Sequence, residues 1–125
     1  MDTAAKIHKL ARKDPSIMDA KTVVKLATIG GAEVLGLRDK IGSLEPGKKA
    51  DIIILDWKQA HLTPVYNYYS HLVYSATGHD VRTVMVDGRV IMDDRQILTV
   101  NEKEIISEVE KIGEKIKKER LDNLR

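Results

Sequence analysis

The chain has 125 residues, which suits one domain and falls well short of the roughly 250 residues of a (β/α)8 barrel. Hydrophobic residues make up 42% and charged residues 32%, as in a globular protein. A net charge of +2 without a long basic block gives no electrostatic drive toward nucleic acid or an anionic membrane. The absence of cysteine excludes disulfides and thiolate chemistry and fits a reducing compartment.

Residues 2–12 read as a short helix with Ala4, Ala5, Ile7, His8, Leu10 and Ala11 on one side. Met1 to Ala5 lacks the charged-then-apolar layout of a signal peptide, and no apolar run approaches the roughly 20 residues of a membrane span. A soluble, cytoplasmic protein is expected. Lys13-Asp14-Pro15-Ser16 breaks the helical pattern. A second helix is expected from about Ala20 to Leu35, with Asp19 as N-cap and Gly36 as its stop. Gly30 and Gly31 lie inside it, which implies close backbone packing or a break into two short helices.

Glu45-Pro46-Gly47-Lys48 has Pro and Gly at the centre of a type II turn. Asp51 to Asp56 is a β-branched apolar run between acids and reads as a strand buried on both faces. Residues 57–80 are the least regular, with a short helix expected around Tyr68 to Ser75. Val81 to Val86 and Arg89 to Asp93 flank Asp87-Gly88, the pattern of a type I′ hairpin. That register would set Val84 against Ile91, Met85 against Val90 and Arg82 against Asp93. Asn101 can cap a charged helix reaching about Leu121, with Glu104 in its first turn and a Glu114–Lys118 pair. Its seam of Ile105, Val109, Ile112 and Ile116 suits a coiled coil or docking on its own protein.

The residues do not announce an active site. His8, His61, His71 and His79 form no His-x-His, His-x-x-x-His or His-Glu-x-x-His pattern. They read as capping, packed or exposed imidazoles. No Gly-x-Ser-x-Gly elbow surrounds any serine, and Ser70-His71 adjacency does not make a nucleophile–base pair. Gly30, Gly31 and Gly42 match no phosphate loop. Lys48-Lys49 could touch an anion but reads better as a solvated turn. Tyr66, Tyr68, Tyr69 and Tyr74 could stack bases, but residues 61–81 carry no Lys or Arg, so a packed interface is expected.

The run Ile41-Gly42-Ser43-Leu44-Glu45-Pro46-Gly47-Lys48-Lys49-Ala50-Asp51-Ile52-Ile53-Ile54-Leu55-Asp56 resembles the tail signature of the amidohydrolase superfamily. In that family a Gly-Lys-x-Ala-Asp turn leads from the (β/α)8 barrel into a small β-sandwich. Ala27 to Leu37 resembles the helix before it, and Val84 to Ile91 the hairpin after it. His61-Leu62-Thr63-Pro64 and Ser70 to Ala76 are similar to the branch of S-adenosylhomocysteine/5′-methylthioadenosine deaminases and triazine hydrolases. Archaeal 5′-deoxyadenosine deaminases are similar too.

The resemblance implies an α+β chain. Residues 1–40 would be closing helices of a truncated barrel, 41–100 the C-terminal part of the small sandwich with a connecting segment, and 101–125 a charged C-terminal helix. It also implies a parent enzyme that deaminates an adenosine derivative. There, Zn²⁺ or Fe²⁺ makes hydroxide available near neutral pH for attack on C6 of adenine. The family's His-x-His pair, two later His, Asp and proton-shuttling Glu all precede the matched region. No catalytic or metal residue is therefore carried onto this chain, no cofactor is expected in it, and its substrate-binding residues are left unassigned. Such a chain alone would be an inactive scaffold. Its partners would be the rest of the parent enzyme or further copies of itself, and an adenosine-type small molecule would be the parent's ligand. The alternatives are a non-catalytic oligomerisation or protein-interaction domain, and a triazine hydrolase or guanine deaminase-like parent.

Overall fold

The computed structural model describes residues 1–122. Positions 123–125, the end of the expected C-terminal segment, lie outside the described residues. Helix α1 (Asp2–Arg12) ends as Lys13 turns left-handed at φ 52°. Its buried Ala5 meets Val23 of α2 (Ala20–Lys25) and Val73 of α4 (Tyr68–Tyr74) in a small core, with Met18, Ala20 and Val24 packed around it. Asp19 caps α2 as its spacing predicts, its carboxylate accepting from the Thr22 N–H at 3.0 Å.

The helical path runs on to Val34, but not as one uniform α-helix. Leu26–Gly30 forms a widened π turn before α3 (Gly31–Val34). The turn brings the Lys25 carbonyl oxygen to 3.3 Å from where a Gly30 Cβ would sit, so the glycine accommodates the widened backbone. Thr28 donates its hydroxyl back to the Val24 carbonyl at 2.8 Å in the same stretch. Gly36, at φ +67°, ends the path. Its N–H donates to Glu33 and that of Leu37 to Ala32, the pair of bonds of a Schellman cap.

The loop after α3 lies directly on the helical backbone. A Cβ on Gly42 (φ +89°) would stand 2.9 Å from both Ala32 Cβ and Ile29 Cα. The Glu45–Lys48 turn forms as expected, with Gly47 at φ +90° and Lys48 N–H donating to Glu45 at 3.1 Å.

Strands β1 (Ile52–Leu55), β2 (Val81–Val86), β3 (Arg89–Asp93) and β4 (Gln96–Ile97) form one antiparallel sheet in sequence order. The chain is thus α+β. These strands make a single sheet among the described residues, where a sandwich would need a second. Residues 51–56 are not a strand buried on both faces. Among the described residues β1 has a neighbour on one side only, and Ile53 and Ile54 are each 53% exposed because no described element covers them.

The hairpin turn is as its sequence dictates, with Asp87 at φ 49° and Gly88 at φ 78°. Met85 faces Val90, but a bulge between Val84 and Met85 shifts the rest by one residue. Val84 therefore faces Met92 rather than Ile91. Arg82 reaches Asp94 at 3.1 Å rather than Asp93, which takes the Thr83 hydroxyl at 2.9 Å.

Between β1 and β2 the chain makes a 3₁₀ turn (Ala60–Leu62), α4 and a second 3₁₀ turn (Gly78–Asp80). Leu62 is fully buried there. Asn67 caps α4 by accepting from Ser70 N–H at 3.0 Å. Helix α5 (Glu102–Asp122) starts at Asn101, whose side chain accepts from Glu104 N–H at 3.3 Å. Its apolar seam lies in solvent, and Glu114 and Lys118 are not among the ion pairs of the described residues. None of the described helices is long and apolar enough to cross a membrane.

Candidate functional site

Two polar constellations organise the chain. The first centres on Asp80, at 2% exposure the one buried charged side chain among the described residues. A buried carboxylate requires hydrogen-bond donors. Here Oδ2 accepts from Thr77 N–H at 2.7 Å, from the Thr77 hydroxyl at 3.2 Å, and lies 3.0 Å from His61 Nε2. The Thr77 amide bond, then His61, hold the Asp80 carboxyl below the usual carboxylate range, against the opposing effect of burial. The Asp80 carbonyl accepts from Asp56 N–H at 2.8 Å. The Asp56 carboxylate in turn accepts from Lys58 N–H at 3.0 Å, Gln59 at 2.7 Å and Arg95 at 3.2 Å. The Lys58 amide and then Arg95 lower its pKa. Arg95 also donates to the His79 carbonyl at 3.0 Å. The node thus joins the end of β1, both 3₁₀ turns and the turn before β4.

The second constellation is built from the Gly47–Asp51 signature. Lys49 Nζ lies 2.9 Å from the Asp87 carboxylate, and Asp51 accepts from Asp87 N–H at 2.7 Å. Gly88 N–H donates to the Ala50 carbonyl at 3.1 Å. The hydrogen bond to Asp87 raises the Lys49 pKa. Lys48 reaches the Ser43 hydroxyl at 2.6 Å and Glu45 at 3.3 Å. The Lys48-Lys49 pair, considered above as an anion contact, is therefore engaged within the chain. The signature clasps the tip of the Asp87-Gly88 hairpin.

Neither constellation carries complete chemistry. A His–carboxylate pair can orient a base, but no hydroxyl or thiol nucleophile is bonded to His61. His71 Nδ1 pairs with the Asn67 carbonyl at 3.0 Å, so its neighbour Ser70 is not its partner. His8 borders a shallow cleft with Arg12, Asp14, Ile17 and Met18. A metal site does not fit the described residues. No three His, Cys, Asp or Glu converge among them, and the Asp80 oxygen facing His61 already takes the Thr77 donors. The sequence assigns no catalytic or metal residue to this chain and leaves its substrate-binding residues unassigned, so Asp80 is an addition. The Thr77-x-x-Asp80 spacing, a capping-box pattern, was its one signal in the sequence.

Residues 1–91 match the family model described as "Amidohydrolase family". The chain belongs to the amidohydrolase family. Over 117 residues it is 50% identical to a 5-methylthioadenosine/S-adenosylhomocysteine deaminase of Syntrophus aciditrophicus, covering 94% of this amidohydrolase chain and 26% of that protein. It is 45% identical over 116 residues to a 5′-deoxyadenosine deaminase of Methanosarcina mazei, covering 93% and 26%. Among solved structures it is similar to a zinc-bound adenosine deaminase from Xanthomonas campestris. That match has a TM-score of 0.86 and 31% identity, covering 94% of this chain and 27% of the other. It is also similar to a zinc-complexed atrazine chlorohydrolase from Arthrobacter aurescens, with a TM-score of 0.64 and 26% identity over 71% and 19% of the two chains. This amidohydrolase chain thus spans about a quarter of the length of the curated relatives it matches.

Proposed function

We infer that this chain is the C-terminal scaffold portion of an amidohydrolase that hydrolytically deaminates an adenosine derivative, namely S-adenosylhomocysteine, 5′-methylthioadenosine or 5′-deoxyadenosine. One observation carries the reading: 50% identity over 117 residues to a deaminase of which those residues are 26%. The triazine-hydrolase alternative has the weaker support of 26% identity over 86% of this chain. Residues 1–40 would close the barrel, 41–100 would form part of the small β domain, and 101–125 would be the terminal helix. The catalytic metal, zinc or iron(II), would be held outside the described residues, which offer no fitting donor set. Within the proposed enzyme, the Lys49–Asp51–Asp87 clasp and the Asp80 node would fix the sheet relative to the helices. The enzyme would work in the cytoplasm.

Exchange of this chain for the matching 117 residues of the Syntrophus aciditrophicus deaminase tests the reading. The chimera is expected to fold and to release ammonia from at least one of the three nucleosides, while the 125-residue chain alone releases none. A folded chimera without turnover, or stoichiometric zinc and turnover in the chain alone, would overturn it.

A further inference from the structure

Among the described residues helix α5 packs substantially on no other element, although helices in proteins draw most of their stability from packing an apolar face. Its seam residues Ile105, Val109, Ile112 and Ile116 alternate by four, three and four positions, as in a coiled-coil face, and are 46–61% exposed. The charges are divided along its length. Residues 102–110 hold four Glu and one Lys, whereas residues 111–120 hold five Lys or Arg and two Glu.

Gly113 adds an independent observation. It sits in mid-helix, where glycine costs about 1 kcal/mol relative to alanine, and none of the described residues stands within 4 Å of the Cβ it lacks. Ile106, seven residues earlier and therefore on the same flank of the seam, is exposed as well.

We propose that α5 is a self-association surface that takes the α5 of a second copy of this chain in antiparallel orientation. That orientation sets Ile105 against Ile116 of the other copy and Val109 against its Ile112. Ile106 of each copy enters the notch left by Gly113 of the other. Glu108 lies beside Lys115 of the second copy, and each acidic half meets a basic half. A parallel pair would instead set acidic half against acidic half and leave both Gly113 notches empty. The inference does not depend on the deaminase reading.

The absence of cysteine makes cross-linking of the full chain selective. Under mild oxidation, Ile105→Cys mixed with Ile116→Cys should give a disulfide-linked dimer, while neither variant alone should. Gly113→Leu improves helix propensity and meets open space in the single chain. It should nevertheless weaken the dimer measured by sedimentation equilibrium about tenfold or more, because the notch is filled. Glu108→Lys should weaken it as well, and adding Lys115→Glu should restore it. A monomeric chain, cross-linking of either cysteine variant with itself, or association unaffected by Gly113→Leu would each overturn the proposal. The last result would place association on another face of the chain.

Discussion

Gly42 offers the sharpest test of how the chain is held together. Gly42→Ala would require an L-residue at φ +89° and place its methyl 2.9 Å from Ala32 Cβ, 2.9 Å from Ile29 Cα and 3.1 Å from the Thr28 carbonyl oxygen. Two of those three atoms are backbone within a hydrogen-bonded helical path, which cannot yield as a flexible side chain would. The left-handed conformation costs about 1–2 kcal/mol and the overlap about 1–3 kcal/mol more. The total, about 2–5 kcal/mol, is a large share of the roughly 5–15 kcal/mol that stabilises a typical domain. Gly47→Ala is the matched control. Its φ of +90° is nearly the same, but none of the described residues lies within 4 Å of the added methyl. It should therefore show the conformational cost alone. Urea unfolding followed by far-UV circular dichroism, with the slope held constant, gives both values. Gly42→Ala should exceed Gly47→Ala by about 1–3 kcal/mol. Equal losses would refute the reasoning and mean that the 41–43 loop does not rest on the helix.

Leu62→Ala removes the largest fully buried apolar side chain among the described residues, and a loss of about 2–5 kcal/mol is expected in the same assay. A loss below about 1 kcal/mol would mean the 3₁₀ turn is not anchored by that side chain. The Asp80 carboxyl is held lower in the folded chain than in the unfolded one, first by the Thr77 amide and then by His61. The unfolded chain therefore binds the proton more readily. Its stabilisation is full above the unfolded carboxylate pKa and is lost as pH falls through the lower folded value. Asp80→Asn should lower stability at neutral pH and flatten the acid limb of a stability–pH profile. An unchanged acid limb would show that Asp80 does not contribute to it.

Local chemistry was readable in this sequence wherever a short stretch decides the conformation. Asp19, Gly36, Pro46-Gly47 and Asp87-Gly88 each act within a few residues, and each forms the cap or turn its residue types require. The misreadings arise where distant parts of the chain decide. The Ile52–Leu55 run has the composition of a doubly covered strand, but composition does not say how many neighbours a strand finds. The hairpin register followed from turn length until the bulge at Val84/Met85 moved it, and alternation of Val and Met does not encode a bulge. The π turn at Leu26–Gly30 was visible only as Gly30 and Gly31, which implied close packing or a break into two short helices without saying what form the break takes. Asp80 was missed because His61, which pairs with it, lies 19 residues away, outside the local Thr77–Asp80 turn. The family was legible because its signature is contiguous, whereas the purpose of that signature, gripping Asp87 and Gly88 some 36 residues on, was not.

The excursion between β1 and β2 has a topological consequence. Helix α4 belongs to the segment joining two paired strands, yet it packs on α2, which lies before the sheet begins. The helices α1–α4 and the sheet are consequently interleaved along the polypeptide, because α4 falls between β1 and β2. A cut or splice near residue 40 would divide the α2–α4 contact between two pieces, so neither would keep the core of Ala5, Val23 and Val73 whole. Recombination between relatives should therefore tolerate crossovers beyond residue 98 far better than crossovers between residues 36 and 60. The interleaving makes this stretch heritable as a block.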